Sequence, residues 1–221
     1  MGATIARDLS KDHNLLLHWH THPIDALEEQ LPEAEYTQAD LTKPEAAQQI
    51  IEAALDRFGR IDLIVNNAGA TYGNEYENID AGGMAHLFAI NSTAPAQILA
   101  HALPHLKPGA SVVNISSMNA RLPAQAAPLY SASKAALNTW TKAAAKTLGP
   151  KGIRVNAVAP GAVNTDQAER PEGLTELFLK DTALGKLATP QDIANAVRFL
   201  ASDQAAAITG ELLTVSGGYR L

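Results

Sequence analysis

Ser111-Val112-Val113-Asn114-Ile115-Ser116-Ser117 is a near-continuous apolar run that ends in two hydroxyls. A strand that faces water on one side alternates apolar with polar residues, whereas one covered by helices on both faces has no polar side to present. This run therefore predicts a buried strand of a parallel sheet. Similar runs lie on both sides of it: Leu15-Leu16-Leu17, Ile61-Asp62-Leu63-Ile64-Val65, Ile153-Arg154-Val155-Asn156-Ala157-Val158 and Leu212-Leu213-Thr214-Val215, with a weaker one at Tyr36 to Ala39.

Helical patterns separate these runs. Thr42-Lys43-Pro44-Glu45 has the spacing of a capping box, Ala47, Ile50, Ile51, Ala54 and Phe58 then share a face, and Gly59 can end the helix. Thr189-Pro190-Gln191-Asp192 opens another, with Ile193, Ala196, Val197 and Leu200 as its stripe. A long helix is expected from Leu129 to Leu148, stopped by Gly149-Pro150. Asp166 to Ala188 reads as a loop with one or two short helices. Strands alternating with helices predict an α/β, doubly wound parallel sheet in three Rossmann-like layers, with residues 1–221 as a single domain.

With 221 residues, 46% of them hydrophobic, the chain can bury one substantial core. A formal net charge of -6 offers no basic field for nucleic acid or an anionic membrane. The absence of cysteine excludes disulfides, thiol nucleophiles and thiolate metal sites, and fits the cytosol. The N-terminus lacks a basic start followed by an apolar stretch, and no run approaches the ~18 residues that span a bilayer. The expectation is a soluble, cytoplasmic protein acting on a small molecule.

Tyr130-Ser131-Ala132-Ser133-Lys134 places a phenol and an ammonium at i and i+4, on one helical face. A phenol titrates near ~10, and a neighbouring cation favours its ionised form. Such pairs are common on solvated helices, so the surroundings decide the meaning. Ser117 ends a buried strand thirteen residues before Tyr130, at the carboxyl edge where open α/β sheets bind ligands. Two further strands end in Asn66-Asn67-Ala68-Gly69 and in Pro160-Gly161-Ala162-Val163-Asn164-Thr165, small or polar residues that let a ligand approach the backbone.

These residues, with Asn91 and the closing Thr209-Gly210 through Val215-Ser216-Gly217-Gly218, stand in an order that resembles the short-chain dehydrogenase/reductase family in its compact single-domain branch. The resemblance implies an oxidoreductase moving a hydride between a nicotinamide cofactor and a carbonyl or secondary alcohol. It implies Tyr130 as general acid/base, Ser117 orienting the substrate oxygen, Lys134 holding the nicotinamide ribose while lowering the tyrosine pKa, and Asn91 as a fourth member. It also implies a cofactor site of Gly2, Thr21, Asp40, Leu41, Asn67, Ala68, Gly69, Tyr130, Lys134, Pro160, Gly161, Val163 and Thr165. Homo-oligomers, dimers or tetramers, are usual in the family, and the Ala-rich helix from Leu129 could serve as the contact. A non-redox epimerase or dehydratase, or a cofactor-free scaffold, are the alternatives. Ser216 stands where the family usually has an aspartate, which bears on a local turn or a subunit contact.

Pro95 has no N–H, so in a helix the Asn91 carbonyl loses its i+4 donor and is free to hold a water. The other reading is a proline that kinks or ends a surface helix. Asp40 matches the family's adenine-binding aspartate, although a helix-capping residue looks the same. Where a carboxylate would select NAD, the chain has His18-Trp19-His20-Thr21-His22, which leans the cofactor towards NADP, with NAD still open, and puts Thr21, His20 or His22 near the 2'-phosphate. Alternate strand residues could also present His18, His20 and His22 together, but no carboxylate completes a metal site, and none is expected. His86, His101 and His105 read as surface or packing residues.

The family opens with a buried strand and a Gly-rich turn that cradles the cofactor diphosphate. Met1-Gly2 matches only the end of that turn, and Ala3 to Leu9 reads as the first helix. The first strand, which would lie between those at Leu15 and Ile61, is expected to be absent, exposing two sheet edges. An internal methionine taken as the start, a chain cut short, and a divergent protein that no longer binds cofactor are the three explanations, and the intact downstream residues favour the first two.

Overall fold

The computed structural model describes residues 1–73, 79–164 and 172–220. Its strands are β1 (Leu16–Trp19), β2 (Glu35–Gln38), β3 (Ile61–Asn66), β4 (Leu106–Ile115), β5 (Arg154–Pro160) and β6 (Leu212–Val215). Its α-helices are α1 (Gly2–Leu9), α2 (Asp25–Gln30), α3 (Ala46–Phe58), α4 (Ala81–Phe88), α5 (Ala94–Ala102), α6 (Pro128–Leu148), α7 (Glu172–Lys180) and α8 (Pro190–Ala201). Every strand pairing is parallel. The strands form two sheets, β1-β2 and β3-β4-β5-β6, so β1 and β3 each present an edge unpaired within the described residues.

Burial follows from position. All seven residues of β5 and the last six of β4 are buried, as central strands require, whereas β1 is half-buried along its length. Alternation along the strand separates two cores. Val113, Ile115 and Val158 pack with Ile5 and Leu9 of α1 and with Ile193, Val197 and Leu200 of α8. Val112 and Val155 turn the other way, onto Ile51 of α3, Leu99 of α5, and Ala145 and Leu148 of α6. Helices thus cover both faces, which gives the three layers. Each fully buried valine or leucine contributes about 1.5–3 kcal/mol relative to an exposed one.

One helix start departs from the sequence reading. The Thr189 capping box forms, with the Asp192 N–H donating to Thr189 Oγ1 and the Thr189 N–H to Asp192 Oδ2. The one expected at Thr42 does not: α3 starts at Ala46, and Thr42 instead donates both its N–H and its hydroxyl to Asp40 Oδ1, at 2.9 and 2.8 Å. The shorter reach of Asp40 closes a turn ahead of Pro44 before a box to Glu45 can form. Helix α6 stops at Leu148 as expected; Gly149 stays right-handed in a 3-10 turn, and Gly152, at φ 71°, reverses the chain.

The ends of the chain are tied down. Arg198 of α8 donates from Nε to Asp8 Oδ2 and from Nη1 to Asp12 Oδ2, each at 2.6 Å, and from Nη2 to the Asp8 carbonyl. Lys11 Nζ reaches Asp8 Oδ1 at 2.8 Å, which completes the pairing of this buried carboxylate. After β6, Ser216 Oγ accepts the Tyr219 N–H at 3.2 Å, so its hydroxyl closes the turn. No helix among the described residues is long and apolar enough to cross a membrane.

Candidate active site

The four residues of the expected catalytic set converge at the carboxyl edge of β3, β4 and β5. Helix α6 starts after a loop from β4 and packs back along it, antiparallel to the strand, so successive turns of its inner face meet successive strand residues. The Tyr130 phenol lies beside the Ser117 side chain. One turn on, Lys134 Nζ donates to the Ile115 carbonyl at 2.9 Å. One turn further, Asn138 Oδ1 accepts the Ser116 hydroxyl at 2.6 Å. Thr141 Oγ1 then accepts from Asn114 Nδ2 at 2.9 Å, and Asn114 Oδ1 accepts from Asn66 Nδ2 of β3 at 2.8 Å. This polar seam sets the register of helix against strand through the layer that carries the site.

Asn91 is fully buried, and its side chain does more than the sequence reading expected. Its Oδ1 accepts the Ala70 N–H at 3.0 Å, while Nδ2 donates to the Ala70 carbonyl at 2.8 Å and to Ser133 Oγ at 2.9 Å. It therefore clamps the loop after β3 onto α6 beside Lys134. The backbone around it widens into a π-helical turn, Ala89–Thr93, where the Ala94 N–H bonds back to the Ala89 carbonyl. Pro95 follows in the first turn of α5 and supplies no N–H to Asn91. The proline thus sits inside a buried helical junction rather than ending a surface helix.

Electrostatics at the site correct one expectation. Burial raises the Tyr130 phenol above its ordinary value, and the Ser117 side chain opposes it. Lys134 was expected to lower it, but its ammonium is turned to the Ile115 carbonyl, and burial depresses the lysine itself to about 8. With no anion beside it among the described residues, this cation in a dry site loses hydration that one carbonyl does not replace.

The expected cofactor residues lie along the same edge in differing states. A Cβ on Gly2 would stand 2.6 Å from Asn67 Nδ2, so α1 begins against the end of β3. Asn67 and Ala68 are half-buried there. A Cβ on Gly69 would stand 3.3 Å from Asn91 Oδ1 and 3.4 Å from Lys134 Nζ, space that glycine leaves free for a ligand reaching the lysine. Gly161 after Pro160 is required by packing, since its Cβ would meet Ser216 Cβ at 2.7 Å. Leu41 and Val163 are buried in the core and leave only backbone to a ligand. Asp40 closes a turn onto Thr42, and its carboxyl is held below the usual range by the Thr42 N–H and hydroxyl, with His20 and Lys43 adding to this. Thr21 is exposed beyond the end of β1, and Thr165 lies outside the described residues. The three histidines do not share a face. His18 Nε2 bonds the Ala39 carbonyl at 2.7 Å, while β1 ends at Trp19 and leaves His20 and His22 exposed, so strand alternation does not extend to them.

Sequence reasoning passed over Ser116, Asn138, Asn114 and Thr141. The available signal was a polar stripe, Tyr130, Lys134, Asn138 and Thr141, at helical spacing on the side of α6 that also carries the buried Leu137 and Ala145. Hollows of about 240 Å³ between α3 and the end of α5 and about 390 Å³ near Ser10 and Pro32 border none of the four converging residues.

The chain matches the family described as Enoyl-(Acyl carrier protein) reductase over residues 1–220. It is similar to the oxidoreductase YmfI of Bacillus subtilis, at 35% identity over 99% of this chain and 94% of that protein. Its fold is similar to a short-chain dehydrogenase/reductase from Serratia marcescens, with a TM-score of 0.94 at 29% identity, over 100% of this chain and 93% of the other. A blue fluorescent protein from a metagenomic library, in complex with NADPH, gives a TM-score of 0.93 at 31% identity over the same shares. The chain belongs to the short-chain dehydrogenase/reductase family and is a nicotinamide-dependent oxidoreductase.

Proposed function

We propose that the protein reduces a carbonyl compound, or oxidises the corresponding secondary alcohol, with Tyr130 as general acid/base and NADP(H) as cofactor. The single observation that carries this reading is the junction of Tyr130, Ser117, Lys134 and Asn91 at one sheet edge. When bound, the nicotinamide supplies or accepts the hydride. The residues of the chain handle the oxygen and its proton. Ser117 orients the substrate oxygen, and the Tyr130 hydroxyl gives its proton to that oxygen in reduction and takes it back in oxidation. A phenol kept protonated by burial suits the reductive direction.

Lys134 would hold the cofactor ribose, and Gly69 leaves the space beside its ammonium that such a ligand needs. Asn91, with its carbonyl freed by Pro95, would hold a water that replenishes the proton. The end of β1, with Thr21, His20 and His22 in place of a carboxylate, favours NADP over NAD. The NADPH complex of a similar protein supports the same choice. Cytosolic location and assembly as a dimer or tetramer belong to this reading, with Thr139, Lys142 and Ala143 exposed on the outer face of α6.

Tyr130→Phe tests the assignment. NADPH-dependent turnover of a panel of ketones should fall by at least about 10²-fold while the circular dichroism spectrum is unchanged. Retained turnover in this variant would exclude Tyr130 as the acid.

A further inference from the structure

Ser117 occupies the point where β4 has ended and a 3-10 turn, Met118–Ala120, begins. Its own hydroxyl accepts the Asn119 N–H at 3.1 Å, a bond within the turn that does not fix the turn to α6. The neighbouring residue is fixed on both sides. The Ser116 N–H donates to the Val158 carbonyl of β5 at 2.8 Å, and its hydroxyl, in a residue 3% exposed, donates to Asn138 Oδ1 at 2.6 Å. Asn138 follows Tyr130 by two helical turns on the same face of α6. The helix that carries the phenol therefore also holds the strand end that carries the serine beside it.

Other links of the seam cannot replace this one. Lys134 reaches the backbone of Ile115, two residues before Ser117, and its ammonium is the group proposed to hold cofactor. Thr141 acts on Asn114, a residue earlier still. Ser116 and Asn138 form the neutral side-chain pair immediately next to the site.

We infer that Asn138 is a positioning residue, which sets the Ser117 hydroxyl against Tyr130 by holding Ser116. The catalytic consequence rests on the function proposed above, but the positioning itself can be read without turnover. Tyrosine labelled with 13C at Cζ reports hydrogen bonding of its phenol oxygen at neutral pH, and Tyr130→Phe assigns the resonance among the five tyrosines of the chain. Ser117→Ala defines the shift that accompanies loss of the Ser117 contact.

Asn138→Leu removes the acceptor at similar volume, and Ser116→Ala removes the donor with little loss of packing. Each should move the Tyr130 resonance in the direction of Ser117→Ala, by at least half as much, while the other tyrosines stay in place. The double variant should move it no further than either single one, as expected when both changes break the same bond. Turnover should fall roughly ten-fold, with KM altered by no more than about two-fold. If Asn138→Leu is unstable, Ser116→Ala carries the measurement alone. A Tyr130 resonance unmoved in Ser116→Ala, or in a folded Asn138→Leu, overturns the inference whatever turnover does. Full turnover in Tyr130→Phe would instead defeat the proposed function and leave the spectroscopic result standing.

Discussion

The Lys134 ammonium, in a residue only 4% exposed, donates to the Ile115 carbonyl at 2.9 Å. It is the charged member of the four converging residues, and it is buried. Burial accounts for its depression to about 8, and the stability of the protein is linked to that titration.

Since the folded value lies below the ordinary 10.5, the unfolded chain retains a proton between about pH 8 and 10.5 that the folded chain has shed. This group therefore destabilises the fold at neutral pH, and the penalty is relieved as pH rises through that window. Lys134→Met should raise stability at pH 7 by about 1–2 kcal/mol, after the lost bond to Ile115 is allowed for, while abolishing most turnover. Urea denaturation of both proteins at pH 7 and pH 10 checks this: the difference between them should shrink at the higher pH.

Asn114 is fully buried and links Asn66 to Thr141. Asn114→Leu leaves the Asn66 amide without its acceptor inside the sheet. Removing one partner of a buried network costs more than the net value of the bond, so a loss of about 2–4 kcal/mol is expected. A denaturation midpoint unchanged from the wild type would mean that the seam is replaced by other contacts.

Acid should loosen α1 from α8. The Asp8 carboxyl is held below its usual value of 3.8 by Lys11 and then by Arg198, so its contribution is present above about pH 4 and is lost as pH falls through the lowered value. Amide hydrogen exchange of Ile5 to Leu9 should accelerate in that acid range before exchange of the β4 amides does. Arg198→Ala should speed exchange of the same helix at pH 7 and flatten its dependence on acid.

Tyr72 carries a buried hydroxyl with no partner among the described residues, and its ring lies against Gly83 of α4. Tyr72→Phe removes the unpaired group and keeps the packing, so it should stabilise the protein by about 1 kcal/mol. A thermal midpoint that falls would show that the hydroxyl has a partner in solution.

Elements with a strong local signal were legible from residue order. The apolar run ending at Ile115, the capping box at Thr189 and the long helix before Gly149 all depend on neighbours within a few positions; the box and the helix formed within a residue of the expected bounds, and β4 ends at Ile115 as expected but begins at Leu106 rather than Ser111. The capping box at Thr42 failed because Asp40, two residues earlier, competes for the same donors, a contest that spacing alone does not rank. Strand alternation would bring His18, His20 and His22 to one face only if the strand ran through all three, and β1 ends between the first and the second of them.

By itself the sequence determined the α/β alternation and placed Ser117, Tyr130 and Lys134 towards one sheet edge, because strand ends and helical spacing are properties of the local chain; Asn91 joined them only through the family resemblance. Tertiary structure alone decided what those side chains touch. Residues far apart in the chain, Asn91 with Ala70 and Ser133, and Asn138 with Ser116, meet only once α6 has packed along β4. The direction of the titrations was decided there too, since it depends on how much water the packed layers exclude: Lys134 is pushed down and Tyr130 up by the same burial.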